Sequence, residues 1–164
     1  MNTPAHAPGI TIERLFKAPP DKVWRMWTTE AGLAAWWGPD GFASTVRRLD
    51  LRVDGGFEIV MQATAPQQVD YLRAHGIPLE SVAKGVYTTI EPTRRLAWRN
   101  VVDFVPGVPR YEVLATVTLA LAESGGTSMT FTSERMHDAM WSRNAEMGWT
   151  QQIDRLLAQL DAND

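Results

Sequence analysis

Three histidines, His6, His75 and His137, are the first residues to ask about chemistry in a chain of 164 residues that has no cysteine. They fall in the N-terminal stretch, in a central excursion and ahead of the last helix, with no His-x-x-x-His spacing. No zinc or iron site is expected, and no cofactor is assigned. The missing cysteines exclude disulfides, thiolate ligands and a cysteine nucleophile. A nucleophilic serine would want a Gly-x-Ser-x-Gly elbow, which is absent, and Gly55-Gly56 and Gly125-Gly126 read as hairpins rather than phosphate loops. For acid-base work a side chain must project inward from a strand. If Phe57, Ile59 and Met61 face inward, Glu58 faces out; with Val113 and Ala115 inward, Glu112 faces out, and Arg99 points away from Trp98. Tyr87, Asn100, Ser133, Arg135 and His137 remain as polar candidates, with a structural role expected for each and catalysis the alternative. Asp50 and Arg52 read as a same-face pair that pins a hairpin, worth about 0 to 1 kcal/mol if exposed. A ligand anchor is the other reading of that pair.

Binding is better provided for than catalysis. The seven tryptophans are Trp24, Trp27, Trp36, Trp37, Trp98, Trp141 and Trp149, two of them adjacent before Gly38-Pro39. Each ring carries roughly 150 to 250 Å² of surface, so at least one of the adjacent pair should face a core or a pocket. Trp36, Trp37, Phe57, Ile59, Met61, Tyr87, Trp98, Met129, Phe131, Trp141 and Trp149 are expected to line a cavity between sheet and helix. Tryptophan and methionine walls suit an apolar ligand, and a filled core is the alternative use of the same residues.

The elements that would position these residues can be read in order. Residues 10–17 are β-rich, and Pro19-Pro20-Asp21 then starts a helix in which Val23, Met26 and Trp27 form one stripe. Thr28 or Thr29 ends it and caps a second helix, where Leu33, Trp36 and Trp37 repeat the spacing before Gly38-Pro39 closes it. Residues 42–53 form an extended run ending in the hairpin signal Asp54-Gly55, and strands are expected around 57–61, 83–91, 94–104, 111–122 and 127–134. Val113, Ala115, Val117, Leu119 and Leu121 alternate, giving that strand one apolar face. Residues 66–82 interrupt the meander, with a short helix expected over 67–75 as a surface insertion or a lid. Residues 138–160 read as a long helix of roughly 34 Å, with Gly148 in its middle suggesting close backbone approach or room left for something else.

Composition bounds the rest. With 45% apolar and 21% charged residues the chain is expected to fold, as a disordered tail over 1–9 and a single domain over 10–164. A net charge of −3, with 16 basic against 19 acidic residues and no basic block, argues against nucleic acid as partner. No segment is apolar enough for membrane insertion, so a cytoplasmic monomer or homodimer is expected.

Strand, two short helices, six strands and a long helix make an α+β helix-grip arrangement, a curved antiparallel seven-stranded sheet gripping the C-terminal helix. Ala18-Pro19-Pro20-Asp21-Lys22-Val23-Trp24, Trp36-Trp37-Gly38-Pro39, Leu49-Asp50-Leu51-Arg52-Val53-Asp54-Gly55-Gly56-Phe57 and Gly148-Trp149 resemble the bacterial branch of the activator of heat-shock-protein-90 ATPase homologues, within the START-like SRPBCC superfamily. The resemblance runs over residues 10–160 and departs from the family at 66–82, where a short turn would normally join two strands. It implies a hydrophobic cavity between sheet and long helix, on a scaffold that also serves lipid and steroid carriers, polyketide cyclases, oxygenase domains and chaperone regulators. Three functions are therefore expected as alternatives. The first is binding of an apolar or amphipathic small molecule. The second is docking on a heat-shock-protein-90-type chaperone ATPase. The third is a cyclase- or hydrolase-like enzyme in which Tyr87, Asn100, Arg135 or His137 reaches the cavity beside an acid.

Overall fold

The computed structural model describes residues 8–162. Most of the expected tail, His6 included, lies outside the described residues, while Pro8 and Gly9 already belong to the first strand, β1 (Pro8–Phe16). Pro20 then opens α1 (Pro20–Thr28), where its missing N–H costs nothing and Asp21 faces the positive end of the helix. Thr29 performs the cap that either threonine was expected to supply: it ends α1, and its Oγ1 accepts the Gly32 N–H at 3.0 Å to start α2 (Glu30–Trp36). Trp36 and Trp37 do not share a helical stripe. Trp36 closes α2, and Trp37 has already turned to extended backbone at φ −64°, ψ 143°.

Six strands follow: β2 (Phe42–Asp50), β3 (Gly56–Ala63), β4 (Glu80–Glu91), β5 (Arg95–Val102), β6 (Tyr111–Leu121) and β7 (Thr127–Glu134), with α3 (Pro66–Ala74) between β3 and β4. They form one antiparallel sheet in the order β1-β7-β6-β5-β4-β3-β2, so only β1 leaves the meander, crossing to pair with β7. The run expected to extend to Val53 stops at Asp50, and the β2–β3 connection is a wider turn than Asp54-Gly55 alone suggests. The reason is a contact from outside the hairpin: Asp54 N–H donates to Tyr87 O on β4 at 2.9 Å, while Gly55 N–H closes the turn on Arg52 O at 2.8 Å. The insertion does contain the expected helix. α3 buries only Leu72, and the backbone before it is tied to the α2–β2 turn through Thr64 and Ala65 N–H groups donating to Gly41 O.

The chain ends in α4 (Ala139–Ala162), which runs against the concave face of the curved sheet and completes the helix-grip fold. Its buried residues, Trp149, Gln152, Ile153, Leu156 and Leu160, all lie beyond Gly148. A Cβ on Gly148 would meet nothing within 4 Å, so close backbone approach does not explain that glycine. The core uses the expected alternation of β6, with Val113, Ala115, Val117 and Leu119 buried. Leu121 departs from it, 71% exposed at the end of the strand.

Candidate functional site in the aromatic interior

Sheet and helices meet in a chain of aromatic rings. Trp27 of α1 meets Trp36 of α2 edge-on with centroids 4.5 Å apart; Trp36 lies 5.5 Å from Trp37, and Trp37 in turn contacts Phe57 of β3 at 5.5 Å and Trp149 of α4 at 5.3 Å. Trp149 packs on Phe131 of β7 at 4.3 Å, and Trp98 of β5 lies 6.1 Å from Phe57. The edge-to-face and tilted geometries are those that aromatic quadrupoles favour. Gly85 on β4 makes the arrangement sterically feasible, because a Cβ there would run into the Phe57 ring and come within 2.9 Å of Trp98 Cδ1.

A void of about 10 Å³ lies in this interior. It is bounded by Trp27 of α1, Leu33 of α2 and Trp37, and on the sheet side by Phe57, Ile59, Tyr87, Leu96 and Trp98. That is the scale of a single water, which needs roughly 10 to 15 Å³, against about 300 to 1,000 Å³ for a ligand pocket. This void lies between the sheet and the α1–α2 pair, with no α4 residue bounding it, whereas the expected cavity lay between sheet and C-terminal helix.

Of the eleven residues expected to line a cavity, Trp37, Phe57, Ile59, Tyr87 and Trp98 border this void. Trp36, Met129, Phe131 and Trp149 are buried in the surrounding core, and Met61 is half-buried at its margin. Trp141 is elsewhere. It packs in a separate cluster with Val102, Val105 and Val113, its ring 6.0 Å from Phe104 and 5.9 Å from His137, because the first half of α4 stands over the far ends of β5 and β6. Trp27, Leu33 and Leu96 were missed as lining residues, although Trp27 and Leu33 lie on the two helical stripes and Leu96 shares the period-2 face of Trp98.

The polar groups of the site are few. Trp36 Nε1 donates to Met26 O at 2.9 Å, but Trp27 Nε1 and Trp98 Nε1 are buried with no hydrogen-bond partner. An unmade bond of this kind costs about 1 to 3 kcal/mol. Burial pushes the Tyr87 phenol well above the ordinary tyrosine range, so it stays protonated. No carboxylate borders the void. Asn100 is half-buried and Arg135 exposed, while Ser133 is buried with its Oγ donating to Glu134 O at 3.2 Å. His137 sits at the start of α4, its Nδ1 2.6 Å from the Tyr111 hydroxyl and its Nε2 3.6 Å from Asp138, whose Oδ1 accepts the Trp141 N–H. Among the described residues no three histidine, aspartate or glutamate side chains gather as a metal site.

The turn after Trp37 is latched to α4. Gly38, at φ +98°, donates its N–H to Gln152 Oε1 at 2.8 Å, and Arg155 Nη1 donates to Gly38 O at 2.7 Å and Pro39 O at 3.1 Å. These contacts account for a glutamine on the buried face of the helix. At the rim of the sheet, Arg52 Nε reaches both Asp50 oxygens at 3.0 and 2.9 Å in the exposed turn, the pinning contact read from the pair. Glu58 faces outward, and its hydrogen bond to Arg47 holds the carboxyl below the usual carboxylate range.

The same architecture recurs in solved structures. A protein of Chromobacterium violaceum superposes with a TM-score of 0.76 at 28% identity, the match covering 92% of this chain and 95% of that one. One from Nitrosomonas europaea gives 0.69 at 25% identity over 94% of both chains. The AHSA1 protein of Silicibacter pomeroyi gives 0.73 over 94% of this chain and 99% of its own, and at 20% identity that likeness concerns the fold. Curated proteins provide no match. The profile of the family described as Activator of Hsp90 ATPase homolog 1-like protein matches residues 17–161, from the end of β1 through α4, and the chain belongs to that family.

Proposed function

We propose that this protein binds a compact, mainly apolar small molecule in its aromatic interior, between β3–β5 and the α1–α2 pair. The observation that carries the reading is the void itself. Native interiors pack as densely as organic crystals with few gaps, and this gap lies where side chains from two helices, the Trp37 turn and three strands converge. A guest larger than water requires α1, α2 and the Trp37 turn to lift from the sheet. The turn is held to α4 chiefly by Gln152 and Arg155, contacts that can break without unpairing a strand.

Native mass spectrometry of gently purified protein, with titration of tryptophan fluorescence against a panel of lipophiles, tests this reading. Added mass or saturable quenching is expected; a broad panel that yields neither overturns it. A second reading, docking on a heat-shock-protein-90-type ATPase, is favoured by the family's description and by the exposed Met140 and Met147 on the first half of α4 and the exposed Phe104 against Trp141. It requires a complex or a change in ATP turnover on mixing, and falls if both are absent.

A further inference from the structure

We infer that the first half of α4, residues 139–147, is a strap that swings away from the sheet about Gly148 while the second half stays in the core. This swing is a property of the fold and does not depend on the interior void. Along the helix, burial changes abruptly at the glycine: Trp149, Gln152, Ile153, Leu156 and Leu160 are buried, whereas none of residues 139–147 is. Gly148 itself faces open space, since a Cβ there would meet nothing within 4 Å. A glycine in a helix interior lowers the cost of leaving helical geometry, and here no close packing opposes the bend.

What the strap covers is small and apolar. Val102, Val105 and Val113 form a buried cluster apart from the main core, with Met136 and Trp141 packed against it. Among the apolar residues of the strap, Trp141 packs on that cluster and Ala145 on the main core, while Met140 and Met147 are more than half exposed. The strap is fastened at the end away from Gly148. The Tyr111 hydroxyl on β6 accepts the His137 N–H at 3.1 Å and lies 2.6 Å from His137 Nδ1; Asp138 Oδ1 accepts the Trp141 N–H at 2.8 Å, and the Ser142 hydroxyl accepts the Met136 N–H at 2.9 Å. The end is therefore held and the loose point is interior to the helix, which distinguishes a strap with a clasp from a fraying terminus. Opening brings Val102, Val105, Val113 and Trp141 to solvent together, so a closed face of the molecule becomes an apolar one. Such local openings require less free energy than global unfolding.

A chain without cysteine allows a specific test. Val113→Cys, in the cluster beneath the strap, and Val117→Cys, on the same strand in the main core, are each labelled with methyl methanethiosulfonate, and the rate is followed by mass at increasing urea. Val102→Cys replaces the first probe if Val113→Cys does not fold. The expected result is labelling of Val113→Cys about tenfold or more faster than Val117→Cys, with a smaller dependence on urea, because a local opening exposes less surface than unfolding. Adding Gly148→Ala should slow the Val113→Cys labelling about two- to fivefold, the scale of alanine over glycine in a helix interior. Adding Tyr111→Phe should speed it about two- to tenfold, the scale of one hydrogen bond. Equal rates and equal urea slopes at the two thiols would mean that only global unfolding exposes Val113, and overturn the strap. Fast labelling that Gly148→Ala leaves unchanged assigns the opening to residues 103–110 and overturns the hinge. Labelling indifferent to Tyr111→Phe overturns the clasp.

Discussion

Gln152 shows how a residue can look misplaced by pattern and be explained by a single contact. It lies on the buried face of α4 among Trp149, Ile153 and Leu156, and its side-chain oxygen takes the N–H of Gly38, 114 positions away. Gln152→Leu keeps the apolar face but leaves that N–H buried without an acceptor. A stability loss of about 1 to 3 kcal/mol is expected, measured as a lower urea midpoint at unchanged slope. A variant as stable as wild type would show that the latch contributes nothing. Tyr87 carries a pH signature with a definite sign. Its pKa is raised in the fold by burial, so its contribution is complete below the unfolded tyrosine value of about 10. Above that value the unfolded chain releases a proton that folded Tyr87 keeps, and stability falls as pH rises toward the raised folded value. Tyr87→Phe should therefore lose less stability than wild type between pH 9 and 11 in denaturant titrations. Parallel curves would assign the alkaline loss to other groups.

At the scale of elements, α4 is two half-helices in different circumstances. Beyond Gly148 it is anchored in the core; before it, Met140 and Met147 are more than half exposed and Trp141 rests on a small satellite cluster. Glycine in a helix interior is less stable than alanine by about 0.5 to 1 kcal/mol, and the new methyl would meet open space here. Gly148→Ala should accordingly raise the melting temperature by a few degrees in a thermal scan. A fall would mean that the helix needs freedom, or a neighbour, at that point. The helical period on either side of Gly148 was legible in the sequence. Its cause was not, since whether a glycine is crowded or free depends on what faces it across the fold.

The whole molecule is held by its interior. The ion pairs among the described residues, such as Arg47–Glu58 and Lys84–Asp103, join side chains that remain largely in contact with solvent, a setting in which each contributes little and is screened by salt. Raising sodium chloride from 0.05 to 1 M should therefore change the urea-derived stability by less than about 1 kcal/mol. A larger fall would point to an ionic contribution that the geometry does not suggest. Among the described residues no helix is long and apolar enough to cross a membrane. The aromatic rings, by contrast, draw on α1, α2, β3, β4, β5, β7 and α4 at once, so helices and sheet share one core.

The sequence alone determined the order of elements, the helix start at Pro20, a threonine cap at position 28 or 29, the inward faces of β3 and β6 and the family resemblance. Each follows from local chemistry: a proline without an N–H, a hydroxyl three residues before an amide, an alternation of period 2. Tertiary structure decided how the tryptophans divide. Trp98 and Trp149 share a core with Trp36 and Trp37, whereas Trp141, eight positions before Trp149 on the same helix, belongs to another cluster. It also decided where a void of about 10 Å³ lies and that two buried indoles lack acceptors. Periodicity specifies the face on which a side chain lies. The volume left between two faces, and the partner of a polar atom within it, depend on side chains far apart in sequence meeting in space.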